Sequence, residues 1–144
     1  NVQIGVDSEY IVAADIFQDR NDVWTLIPFL ETIEKKVGFR YPSVTADSGY
    51  ESEEAYTYLR EQKQKPYIKP QTYEKRKKRS FKQDISKREN MGYDEITDTY
   101  ICHAGKELKP LFIKKQKSKS GYESEVTVYE CEDCTGCPHK ERCT

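Results

Sequence analysis

The stretch "VTADSGYESEE", residues 44–54, sets the reading of the chain. A short apolar run ends on a carboxylate, Asp47, and turns through Ser48 and Gly49 into a helical pattern. A buried strand has no place for an unpaired charge, so Asp47 must be hydrated, hydrogen-bonded or bound to a cation. Asp, Ser and Gly are also common turn residues, which gives a plain structural reason for the same three letters. Both readings stand until the surrounding chain is read.

Working outward, "YPSVTAD" (41–47) reads as a strand and "SEEAYTYLREQ" (52–62) as a helix with Glu53 and Glu54 in its favourable first turn. "KPYIKP" (65–70) reads as a short strand closed by Pro70. Upstream, "NVQIGV" (1–6) and "YIVAADIF" (10–17) are rich in Val and Ile, and the three-residue turn "DSE" between them predicts a hairpin. Val23, Leu26, Ile27, Leu30, Ile33 and Val37 recur at helical spacing, and Gly38 sits where a helix would stop. Pro28 would break a helix interior, so the main helix is expected from about residue 26, with Pro28 in its first turn. The order β-β-α-β-α-β predicts an α/β fold, a mixed sheet with flanking helices. In such sheets functional residues gather at the strands' carboxyl ends, where Asp47 lies.

The 144 residues suit one domain, or one with an appendage. Formal net charge is only −1, but it is segregated: −7 over residues 1–62, +9 over 63–88 and −3 over 89–144. The middle segment suits a polyanionic partner or a solvated loop. Its run "KRKKRSFK" (75–82) makes Lys75, Arg76, Lys77, Lys78, Arg79 and Lys82 candidates for phosphate contact. No apolar run approaches the roughly 20 residues of a membrane span, and no signal-peptide pattern is present. A cytoplasmic protein, with no membrane partner and no small-molecule substrate, is expected.

Five cysteines occur, four of them within "CEDCTGCPHKERC" (131–143). Such clustering fits a metal site in a reducing compartment better than a disulfide framework. A thiolate tetrad around zinc pairs a close C-x2-C with ligands from elsewhere. Cys102, Cys134, Cys137 and Cys143 form the favoured set, with Cys131 as the substitute ligand. Iron–sulfur ligation and metal-free or partly disulfide-bonded thiols are the alternatives. His103 and His139 read as neighbours of the cysteines, outside the ligand set.

Together, "NVQIGVD" with "DRND", then "VTADSGYESEEAYTYL", and the tail "YICHAGKEL…YECEDCTGCPHKERCT" resemble bacterial insertion-sequence transposases of the DDE type, in the branch with a cysteine-rich insertion. The resemblance implies a ribonuclease-H-like core in which three acidic residues bind two divalent ions, Mg or Mn, that cut and join DNA at element ends. It places Asp47 as the second catalytic aspartate. The first would lie on a strand before Asn1 and the glutamate on a helix after Thr144, so the chain is expected to be a fragment, inactive alone. Asp7, Asp15 and Asp19 are read as turn or surface acids and fill neither role. The expected organisation is a partial ribonuclease-H-like core (1–70), a basic linker (71–92) and a small cysteine-rich β insertion, zinc-binding (93–144). Exposed sheet edges are expected to favour self-association into a homo-oligomer. A non-enzymatic zinc-ribbon nucleic-acid binder derived from a transposase is the rival reading.

Overall fold

The computed structural model describes residues 1–143, which fall into two compact units, residues 1–73 and the remainder from Glu74. In the first unit, β1 (Val2–Asp7) and β2 (Tyr10–Ile16) pair antiparallel. Asp7 still pairs with Tyr10, so the turn has two residues, not the expected three. Ser8 and Glu9 both take positive φ, 49° and 71°, the twist that a two-residue hairpin turn requires. A register shift between Gly5 and Val6 marks a bulge.

A single 3-10 turn, Asp22–Trp24, leads into α1 (Leu26–Val37). Pro28 lies in its first turn, where its missing N–H would have no intrahelical acceptor. Gly38 closes the helix at φ 80°, its N–H on the Glu34 carbonyl at 2.8 Å. β3 (Ser43–Ala46), α2 (Glu53–Glu61) and β4 (Lys65–Ile68) follow, and β3 pairs with β4 in parallel across the α2 crossover. Ser52 caps α2, its hydroxyl accepting from the Ala55 N–H at 3.0 Å.

The apolar stripe of α1 serves two clusters. Leu26 packs with Ala55, Leu59 and Ile68, while Phe29 and Ile33 pack with Ala13. One correction concerns the sheet. The four strands form two separate ladders, β1-β2 and β3-β4, not the single mixed sheet expected. Among the described residues no strand lies between β1 and β3 to carry hydrogen bonds from one ladder to the other. The result is a mixed α/β unit with small sheets and short helices.

The second unit opens on the basic segment, folded as α3 (Tyr73–Lys77, which begins at the unit boundary) and α4 (Arg79–Lys82). An antiparallel meander follows: β5 (Gly92–Asp94), β6 (Thr99–Ile101), β7 (Glu107–Lys117) and β8 (Glu123–Cys131). The last described residues form α5 (Lys140–Cys143). Among the described residues every buried hydrophobic side chain lies between Ala13 and Ile68, so this unit has no aliphatic core of its own. Its sheet is held instead by a polar and aromatic cluster. Tyr93 and Tyr129 both donate to Asp98 Oδ1, at 2.7 and 2.6 Å, and the Tyr100 ring packs against both.

Candidate functional site

Asp47 follows β3 directly and begins a 3-10 turn, Ser48–Tyr50. Its Oδ1 accepts the Gly49 N–H at 2.7 Å, which fixes the carboxylate at the strand's carboxyl end while the residue stays exposed. The turn role and a ligand role are therefore compatible. Gly49 is closely approached by two carboxylates. A Cβ there would lie 3.0 Å from Asp22 Oδ2 and 3.1 Å from Asp47 Oδ1. Two carboxylates thus close on one glycine.

Asp22 is the member of this site that the sequence reading passed over. Its Oδ1 accepts from Asn1 Nδ2 at 2.6 Å and from Gln3 Nε2 at 3.2 Å. Gln3, almost completely buried at 2% exposure, also accepts the Tyr50 hydroxyl through Oε1. Asn1, Gln3, Asp22 and Tyr50 therefore brace the Asp47 turn against the start of β1. Burial, and then the negative charges of Asp22 and Asp47, push the Tyr50 phenol above its usual range. The available signal was "DRND": an acid just before α1 that an ordinary helix start would also explain. Asp7 lies at the far end of β1, and Asp15 accepts the N–H of its own neighbour, Ile16, at 2.8 Å. Two neighbouring carboxylates suit a hard cation, but they do not complete a site for one.

In the second unit all five cysteines, with His103 and His139, line one cavity of about 470 Å³. Cys102 begins the turn after β6, Cys131 ends β8, Cys134 and Cys137 sit in the loop beyond, and Cys143 lies on α5. The loop owes its shape to Asp133, whose Oδ1 accepts from Thr135 N at 2.7 Å, and to Gly136 at φ 67°. The His103 and His139 rings meet edge to face at 4.8 Å. A hydrogen bond with the Cys131 thiol, then burial, pushes the Cys134 thiol up, and the charge of the neighbouring sulfur adds to it. Thiolates and imidazoles are zinc-type donors, so the donor chemistry fits that metal. The positions are open: among the described residues no three His, Cys, Asp or Glu groups are drawn together as a metal-holding set.

The basic side chains are all exposed. Arg76 reaches Glu89 at 3.6 Å and Lys77 reaches Glu74 at 3.4 Å. Lys75, Lys78, Arg79 and Lys82 have no ion pair among the described residues.

Residues 101–144 match the family model described as "Transposase DDE domain". The match takes in all five cysteines and both histidines and stops short of Asp47 and of the basic helices. No curated protein and no solved structure matches the chain. No helix among the described residues is long and apolar enough to cross a membrane.

Proposed function

We propose that the chain is part of a DDE transposase, an enzyme that cuts and joins DNA at insertion-sequence ends by metal-dependent phosphodiester transfer, and that it works only with carboxylates supplied from outside these residues. The supporting observation is the match of residues 101–144 to a transposase DDE domain model. Asp47, at a strand end and hydrogen-bonded by Gly49, is the carboxylate of this chain that would hold Mg²⁺ or Mn²⁺. Such an ion supplies charge stabilisation at the attacking and leaving oxygens of the phosphodiester. Asn1, Gln3, Asp22 and Tyr50 hold the Asp47 turn in place.

The cysteine-lined cavity is assigned to structural zinc. A unit of this size without an aliphatic core needs a cross-link, and a metal ion supplies one. The favoured ligands are Cys102, Cys134, Cys137 and Cys143, with Cys131 as substitute. The six basic residues at 75–79 and 82 are assigned to phosphate contact with DNA.

Salt-dependent DNA binding tests the reading. If the four unpaired cations, Lys75, Lys78, Arg79 and Lys82, each neutralise one phosphate, log K falls by about 3.6 per decade of salt. A Lys75→Glu, Lys78→Glu double variant halves that slope. Binding with an unchanged slope in the variant, or no binding at low salt, removes the DNA assignment. One observation favours a second reading, a non-enzymatic zinc-bearing nucleic-acid binder: the family match lies wholly in the cysteine-rich tail. That reading predicts that Asp47→Asn leaves every DNA-dependent property unchanged, including those of longer polypeptides carrying these residues.

A further inference from the structure

The basic segment and the cysteine-rich tail meet within the second unit. Lys82, at the end of α4, and the loop that follows it wall one side of a notch of about 430 Å³, and His103 and Arg142 wall the other. Asn90 holds that loop folded, its Nδ2 donating to the Phe81 carbonyl at 2.6 Å and to the Asp84 carbonyl at 2.9 Å. Lys82, His103 and Arg142 are exposed, and neither Lys82 nor Arg142 has an ion pair among the described residues.

Asp84 is the carboxylate among the lining residues, and it is already engaged. Its Oδ1 accepts from the Ser86 N–H at 3.0 Å and the Ser86 hydroxyl at 2.7 Å, and its Oδ2 faces Lys87 Nζ at 3.7 Å. Counting histidine as neutral, the lining carries two cations against one carboxylate, a net of +1. That balance suits a singly charged anion. Position adds a second argument. The notch adjoins the cysteine-lined cavity, since Ile85 and His103 line both. His103 follows Cys102 and Arg142 precedes Cys143, two of the favoured zinc ligands, so closing the thiolate site fixes the main chain beside both anion-facing residues.

We propose that this notch is a phosphate site, in which Lys82, Arg142 and a ring N–H of His103 hold one backbone phosphodiester of duplex DNA. The inference rests on the DNA and zinc assignments above and brings Arg142 and His103 into the DNA interface. A guanidinium offers paired N–H donors that match two phosphate oxygens, while the lysine ammonium acts as a point charge beside it. A phosphodiester carries one negative charge, which the net of +1 balances. It also continues the row of phosphates met by Lys75, Lys78 and Arg79 along the same basic segment.

The test is fluorescence anisotropy of a labelled DNA duplex in a salt titration, with the 144-residue chain purified reduced and without chelator. Loss of one phosphate contact flattens the plot of log K against log salt by about 0.9. Arg142→Gln and Lys82→Gln each lose that amount, and the double variant loses no more, because both residues hold one phosphate. Lys75→Gln combined with Lys82→Gln removes two separate contacts and loses about 1.8. Arg142→Lys, which keeps the charge, keeps the slope. Elemental analysis of Arg142→Gln finds the wild-type zinc content, which separates a lost contact from a lost fold. Stripping the metal with a chelator flattens the wild-type slope by the same single step and leaves that of Arg142→Gln where it was. An Arg142→Gln slope equal to wild type, a double variant that loses about 1.8, or a wild-type slope indifferent to the chelator would each overturn the proposal and leave the DNA assignment standing. Wild-type protein that binds no duplex at low salt overturns both. Displacement of the duplex by inorganic phosphate at constant ionic strength, from wild type but not from Arg142→Gln, would make free phosphate the ligand and overturn the proposal as well.

Discussion

Replacing Gln3 with Leu tests whether the Asp47 turn is held by the buried network. Gln3 is 2% exposed and bonds to Asp22 Oδ1, Asn1 Oδ1 and the Tyr50 hydroxyl. A hydrogen bond to a charged group contributes about 1.5–3 kcal/mol and a neutral one about 1 kcal/mol, so the three together contribute roughly 3.5–5 kcal/mol. Burying a leucine at the same place returns about 1.5–3 kcal/mol. The expected net loss is about 2 kcal/mol. Trp24, the only tryptophan, belongs to the first unit and reports its unfolding without interference from the second. With a urea m-value of about 1–3 kcal/mol/M, the fluorescence midpoint falls by about 1 M. One further sign accompanies it: the Gly49 amide exchanges faster. A midpoint shift below about 0.3 M, with Gly49 exchange unchanged, would refute the claim that this network braces the catalytic candidate.

Three other outcomes are expected. Leu59→Ala, at a side chain with 0% exposure between α2, α1 and β4, costs about 2–5 kcal/mol in the same urea assay, and an exposed control such as Ile96→Ala changes it little. Protein purified reduced and without chelator carries one zinc per chain by elemental analysis, and Cys134→Ser loses it; a metal-free but folded wild-type protein would dismiss the zinc assignment. The third concerns pH. The Tyr129 and Tyr93 hydroxyls hold the Asp98 carboxyl below its usual range, and Asp98 pushes Tyr129 up to about 12. The Asp98 contribution is present above the ordinary carboxylate pKa and fades as pH falls through its lowered value. The Tyr129 contribution is present below the ordinary tyrosine pKa near 10 and fades as pH rises toward 12. Carboxyl-carbon NMR of a Tyr129→Phe variant shows the Asp98 titration moving upward; an unmoved titration would discard the bond.

Much of the first unit was legible because its signals are local. The β-branched runs at 2–6 and 10–16, the helical spacing of Leu26, Leu30 and Ile33, Pro28 in a first turn and Gly38 at the stop all act within a few residues of themselves. The position of Asp47 at a strand end was readable for the same reason. Asp22 was not. Its partners are Asn1 and Gln3, about twenty residues away, and Gly49, which approaches only after α1 has turned the chain back.

The sequence by itself determined the order of elements, the charge segregation and the cysteine spacing, each a property of neighbours along the chain. Only the tertiary structure decided that the four strands of the first unit stand as two ladders about an open cleft. It alone gathered five cysteines and two histidines around one cavity while leaving their positions open. The physical reason is common to both. Strand pairing and metal-site closure depend on which distant segments are present to supply the opposing hydrogen bond or ligand, and a local pattern carries no record of that.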